Sequence, residues 1–308
     1  MRTTTALALV LAVAGGAASA ADPEACQTIR LFDPGWTDIN STNAVASTLL
    51  EALGYDPKVD TLSVAVGFEG MKSGDIDVFL GNWMPAQNEF RADLDAAKAV
   101  EVLGQNLAGA KLTLAVPSYV GIKDFAELDP NADRFDHKIY GIDPGTGGNK
   151  IIQAMIEADD FGLKDWELVE TSEQAMLAQV TRAEKSEDAI VFLAWAPHPM
   201  NVAHDITYLA GGDEQFGPNF GGADVFTVAK TGWSEQCPNA AQFFRNLTFT
   251  LDIENTMMAS VIDDGDSPAE AAEKWLKANP DALGPWLEGV TTLDGKPGLD
   301  AVKAELGL

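Results

Sequence analysis

The sequence predicts an α/β protein of two lobes, each a sheet flanked by helices, with the second lobe inserted into the first. Three observations lead there. Short β-rich runs alternate with helix-period segments through most of the chain, the pattern that builds parallel sheets covered by helices. The 308 residues are 46% hydrophobic, enough for two cores. The alternation restarts near Leu112 and changes again after Gly211-Gly212. Residues 21–110 with 213–308 then form one discontinuous lobe, and 111–212 the inserted one. In such sheets a ligand sits beyond the carboxyl ends of the strands, here in the cleft between lobes.

The elements follow in order. Residues 1–20 read as a secretory signal peptide: Arg2, an apolar run over 6–14, and Ala18-Ser19-Ala20 before a cut at Ala21. That run is about half of the roughly 20 residues a spanning helix needs. No Cys follows the cut, so lipid attachment is not expected and the mature chain is expected free in a bacterial periplasm. A first strand is expected over 28–32, ending in the turn Asp33-Pro34-Gly35-Trp36. A helix over 39–53 follows, with Asn40, Ser41 or Thr42 near its start. A second strand falls within 55–66, a short helix over 67–73 closes at Gly74, and a third strand at 77–80 leads into Gly81-Asn82-Trp83-Met84-Pro85. In the inserted lobe, strands are expected at 112–116, 138–142, 166–169 and 189–194, with helices over 150–158 and 172–185. A return strand at 223–229 and four helical segments complete the chain, among them 239–246, 253–263 and 268–278. Trp36, Trp83 and Trp195 are each expected in a turn just past a strand end.

The net charge of −27 repels nucleic acid and anionic lipid. Most of that acid reads as solvated surface. Cys26 and Cys237 are the two cysteines. In an oxidising compartment they most simply form one disulfide, the alternative being two free thiols. Both fall in the discontinuous lobe, so a bridge would join two segments of it without spanning the cleft.

Positive signs of catalysis are missing. There is no G-x-S-x-G, H-E-x-x-H or phosphate loop. Gly145 to Lys150 lacks the phosphate-loop spacing, although a helix N-terminus there would present backbone N–H groups. His198 and His204 with Asp205 match no common metal spacing. No metal and no cofactor is expected. What remains is aromatic. A trimethylammonium group has no N–H to donate, and its charge is spread over methyl groups. Aromatic faces offer it apolar contact and a negative quadrupole, up to about 2 kcal/mol for each desolvated ring. Three rings reach roughly 6 kcal/mol, short of the about 8.2 kcal/mol of a micromolar site. Polar contacts must add the rest. Trp166, Trp233, Trp275 and Trp286 read as packing residues.

Four segments carry a family resemblance: Gly35-Trp36-Thr37-Asp38, then Asp75 to Pro85, then Gly141-Ile142-Asp143-Pro144-Gly145, then Phe192 to Asn201. They resemble the choline-binding proteins of bacterial ABC importers over essentially the whole mature chain, both cysteines included. The resemblance implies a type II periplasmic binding protein fold, with transmembrane permease subunits as partners and a monomeric binding protein. It matches Trp36, Trp83 and Trp195 to the walls of an aromatic box around the quaternary ammonium, and Asp38 to a carboxylate beside the choline. Thr146 falls where the family places an Asn that contacts the hydroxyl end. Leu112 stands where the family has a Tyr as fourth wall. Tyr119, seven residues on, is the one aromatic nearby that could replace it.

Two other readings stand beside choline. Glycine betaine, another betaine or dimethylsulfoniopropionate carries a carboxylate that Asp38 would repel, whereas Thr146 and its N–H-rich turn would welcome it. A secreted enzyme acting on small amines would need a nucleophile and base that the sequence does not display.

Overall fold

The computed structural model describes residues 21–308; the signal-peptide reading lies outside the described residues. Nine strands form one continuous, strongly mixed sheet: β1 (Thr28–Asp33), β2 (Asp56–Thr61), β3 (Val78–Met84), β4 (Val100–Pro117), β5 (Lys138–Tyr140), β6 (Glu167–Val169), β7 (Phe192–Ala196), β8 (Ile206–Tyr208) and β9 (Gly222–Lys230). Their order is β2-β1-β3-β9-β4-β7-β5-β6, with β8 on β4. Both ends of this path are parallel: β1 pairs with β2 and β3, and β5 with β6 and β7. Parallel neighbours need a crossover, supplied by helices that cover the faces. The middle is antiparallel. β9 runs beside β3 and the first half of β4, and β7 beside the second half. The long β4, paired with β9 on one side and β7 on the other, carries the sheet from one lobe to the next, as the fold class requires.

The helices start where local chemistry allows. Helices α1 (Thr37–Ala52), α2 (Val64–Ser73), α3 (Asn88–Ala96), α4 (Gly147–Ala158) and α5 (Glu173–Ser186) connect the strands. The Ser63 hydroxyl accepts from the Val66 N–H at the head of α2, and Ser172 does the same for Ala175 on α5, each satisfying an orphan amide of the first turn. In the C-terminal part, Ser267 and Glu270 form a capping box on the helix Pro268–Ala278. The first lobe's core centres on Phe32, stacked on Phe79 at 3.9 Å with Phe68 edge-on to both.

Two elements depart from the sequence reading. β4 begins at Val100, twelve residues before the expected strand, and reaches 18 residues. Its first half carries Glu101, Gly104, Gln105, Asn106 and Gly109, poor strand formers. Cross-strand pairing with β9 holds them in place, with register shifts that absorb the misfits. β8 was not anticipated; its three residues gain strand form only by pairing with β4. Cys26 and Cys237 are bonded, with Cα atoms 5.7 Å apart, ordinary disulfide spacing. Among the described residues, no helix is long and apolar enough to cross a membrane.

Candidate functional site

The first wall of the cleft grows from the end of β1. The Asp33 carboxylate accepts from the Gly35 N–H at 2.7 Å and from the Asn40 side chain at 3.3 Å. Gly35 has φ +92°, a left-handed conformation that glycine adopts without steric cost. This turn delivers Trp36 in extended conformation to the N-cap of α1, with Asp38 in the first turn behind it. Trp83, next to last in β3, lies opposite Val225 of β9. Its indole N–H donates to Asp38 Oδ2 at 3.1 Å, so Trp36, Asp38 and Trp83 form one surface.

The facing wall comes from the other end of the sheet. Trp195 of β7 is paired directly with Leu112 of β4. Directly opposed antiparallel residues place their side chains side by side on one face, and Leu193, two residues from Trp195, shares it. Thr146 occupies the N-cap of α4, yet its hydroxyl makes no capping bond. The Asn149 side chain bonds the Ile142 N–H and carbonyl and the Asp143 carbonyl, fixing the turn that carries Thr146.

These walls enclose a cavity with about 410 Å³ of empty space, part of it open to solvent. Trp36, Asp38, Trp83, Leu112, Thr146 and Trp195 all line it, with Ala86, Gln87, Ile142, Gly147, Gly148 and Leu193. All six residues singled out in the sequence therefore meet in one place, and the three indoles are 8%, 5% and 4% exposed. One expectation needs correction, and one alternative falls away. Trp83 and Trp195 lie inside strands, not in the turns after them; pairing continues through each and ends at Pro85 and Pro197, which have no N–H for a ladder. Tyr119 does not supply a fourth ring. It is 46% exposed, and its hydroxyl donates to the Asp188 carbonyl at 2.7 Å. It sits beyond the end of β4, outside the cavity lining. Trp166, Trp233, Trp275 and Trp286 pack against other aromatic rings, as expected.

The sequence reading missed Gln87 and Glu173, and it weighed Gly147 and His198 only for backbone N–H groups and for metal spacing. Gln87 is buried, accepting from Asn82 and donating to the Gly81 carbonyl, both at 3.0 Å. Its position two residues after the Trp83-Met84-Pro85 segment was the available signal. Gly147 packs so closely on the opposite wall that a Cβ there would collide with the Ala86 carbonyl. Glu173 and His198 stand behind the walls, hydrogen-bonded to each other at 3.2 Å. Glu173 looks in sequence like an ordinary first-turn acid after a Ser cap. His204 bonds Glu184 instead, so the two histidines serve different places.

Electrostatically the cleft is a buried acidic centre. Asp38 is pushed up to about 7, first by burial and then by the charge of Glu173; the Ile39 amide and the Trp83 indole pull the other way. Burial also raises Asp33 and, on the other side of the cleft, Asp143. Glu254 is held well above the usual carboxylate range by burial and by Asp38. Three lining residues keep a buried polar atom without a protein partner: Trp36 Nε1, Asp38 Oδ1 and Thr146 Oγ1. Such atoms are rare in native proteins and call for an explanation. An apolar, ring-lined cavity with one carboxylate oxygen and one hydroxyl to offer suits a small cation carrying a polar end.

Comparison with known proteins agrees with this geometry. The family model OpuAC, described as the substrate-binding domain of ABC-type glycine betaine transport systems, matches residues 27–278. An ABC-transporter choline-binding protein in complex with choline is 52% identical, with a TM-score of 0.92 over 93% of this chain and all of that one. An ABC-transporter choline-binding protein in an unliganded semi-closed conformation is 53% identical, with a TM-score of 0.86 over 92% of this chain and all of that one. The glycine betaine/carnitine transport binding protein GbuC of Listeria monocytogenes is 33% identical over 191 residues, 61% of this chain and 59% of that protein.

Proposed function

The chain belongs to the OpuAC family of substrate-binding domains of ABC-type glycine betaine importers, and from that premise we propose that its cargo is choline. The carrying observation is the convergence of Trp36, Trp83 and Trp195 with Asp38 and Thr146 on one cavity. The trimethylammonium sits among the three indoles, with Leu112 as an apolar fourth side. Its positive charge is met by the ring quadrupoles and by Asp38. The choline hydroxyl donates to Asp38 Oδ1 and accepts from Thr146 Oγ1, giving both buried atoms a partner. The binding protein is exported to the periplasm, acts as a monomer, and hands its ligand to the membrane permease of the importer. Residues 21–110 with 213–308 and residues 111–212 are the two lobes that close on it.

One observation favours a second cargo. Because Asp38 is pushed up to about 7, part of its population is neutral near pH 7. A betaine carboxylate is then repelled less, and the N-terminus of α4 at Gly147 and Gly148 offers it N–H groups. The two cargoes differ in the sign of their pH dependence: choline tightens as Asp38 ionises, whereas a carboxylate set against Asp38 weakens. Calorimetric titration of choline and glycine betaine at pH 6 and pH 8 decides. The choline reading predicts tighter choline binding at pH 8. Glycine betaine or dimethylsulfoniopropionate binding tenfold tighter than choline at pH 8 would refute it.

A further inference from the structure

Glu173 touches none of the cavity, yet it is 1% exposed and fully engaged. It is the first residue of α5, between β6 and β7, at the far end of the sheet from α1. Its partners are nonetheless on α1: the Thr37 backbone N–H donates to Oε2 at 3.2 Å, and the Thr37 hydroxyl donates to Oε1. Thr37 is the first residue of that helix. The helix's own N-cap, Trp36, has no side chain able to cap it. The amide of Thr37, one of the four N–H groups that a helix start leaves without a partner in its own helix, is satisfied here by a carboxylate from the other side of the cleft.

His198 completes the arrangement. Its Nδ1 accepts from the Met200 N–H at 2.9 Å, which assigns the ring proton to Nε2. That Nε2–H donates to Glu173 Oε1 at 3.2 Å. The imidazole also lies edge-on to Trp195, with ring centroids 5.0 Å apart. A connected path thus runs from Trp195 through His198 and Glu173 to Thr37, whose two chain neighbours are Trp36 and Asp38.

We propose that Glu173 is a positioning residue of the binding site: held by His198, it caps α1 across the cleft and locks the Trp195 wall to the Trp36–Asp38 wall only when the cleft is shut. In the open form water replaces the two bonds to Thr37, while the His198–Glu173 bond stays within the inserted lobe, so the Thr37 bonds count towards closure and not towards the stability of either lobe. The device is also cation-dependent. Closing brings the Glu173 carboxylate towards Asp38, and this like-charge approach is the second cause, after burial, of the raised Asp38 value. A cation held between Trp36, Trp83 and Trp195 offsets that repulsion, so an occupied cleft latches and an empty one does not hold.

The test is stopped-flow tryptophan fluorescence with choline, or with glycine betaine if choline does not bind the wild type; the latch thus stands or falls apart from the choice of cargo. Glu173→Gln and Glu173→Ala should raise the dissociation rate by about 10- to 100-fold, the size of a lost charge-assisted hydrogen bond. Association rates should stay within about threefold, because encounter occurs with the open form. Thr37→Val should raise dissociation less, and Glu173→Ala/Thr37→Val should fall short of the product of the single effects, as coupled residues do. The ligand-free melting temperature of Thr37→Val, which leaves the His198–Glu173 bond intact, should match wild type, which a merely structural role would not allow. Unchanged dissociation rates, or a ligand-free melting temperature of Thr37→Val that falls as far as its ligand-bound one, would overturn the proposal.

Discussion

Titrating choline into the protein between pH 5 and pH 8 tests the charge logic at the centre of the cleft. With Asp38 pushed up to about 7 by burial and by Glu173, the closed, ligand-free site ionises fully only above neutral pH. A trimethylammonium charge about 5 Å from Oδ1 contributes about 3 kcal/mol at an effective dielectric of about 20. At about 1.36 kcal/mol per pH unit, this lowers Asp38 to roughly 4.5 in the complex. Between those two values each binding event expels a proton, and affinity rises about tenfold per pH unit. From pH 5 to pH 8 the gain is roughly 70-fold, an upper figure because the open cleft lets water back to Asp38. Calorimetry in two buffers of different ionisation enthalpy should count close to one proton released near pH 6. Asp38→Asn should release none and show a flat profile. The same carboxyl sets a pH dependence of folding. Its folded value, about 7, lies above the ordinary carboxylate value of 3.8, so its contribution is fully present below about pH 4 and is lost as pH rises through about 7. At most about 4 kcal/mol disappears across that window, and Asp38→Asn should remove the decline in a thermal melt. The reasoning fails if wild-type affinity is flat from pH 5 to pH 8, or if Asp38→Asn keeps the wild-type slope.

Changing Trp36, Trp83 or Trp195 singly to Ala should weaken choline binding by about 1 to 2 kcal/mol or more, each ring losing its cation–π contact; calorimetric titration checks this, and an unchanged Kd at any one position removes that ring from the box. Leu112→Tyr should tighten choline by up to about 1 kcal/mol, because the position neighbours Trp195 on the same face and gains a quadrupole there; looser binding in the same titration would show that the ring does not fit. Asp38→Asn should also narrow the gap between choline and glycine betaine, since the repulsion falls while a hydrogen-bonding group remains. Replacing Cys26 and Cys237 together by Ser should cost about 2 to 5 kcal/mol of stability in a denaturant titration, with choline affinity unchanged, because neither cysteine lines the cavity.

The α/β alternation was plain in the sequence because burial leaves a period along the chain: two in strands, 3.6 in helices. The segments 28–32, 77–80 and 223–229 became β1, β3 and β9 with small changes of boundary. The first half of β4 escaped because its stability is borrowed from β9, a partner more than a hundred residues away, and not from its own propensity. The site divides in the same way. Aromatic residues beside Pro and Gly, in segments resembling a known family, were enough to single out Trp36, Asp38, Trp83, Leu112, Thr146 and Trp195.

By itself the sequence determined most of the elements and their order, the cysteine pair and the residue types a quaternary ammonium needs, because each depends on local chemistry or on side-chain identity. Only the tertiary structure decided which walls those residues occupy, that Trp83 and Trp195 are held inside strands, and that Tyr119 turns away to bond Asp188. It alone brought Glu173 to the head of α1, 136 positions away in the chain. It also showed that Asp38, expected beside the ligand, is buried and pushed up to about 7. The physical reason is that burial and like-charge proximity are properties of distance in space, and in this chain those distances are set by two strands, β4 and β9, that carry one lobe across to the other.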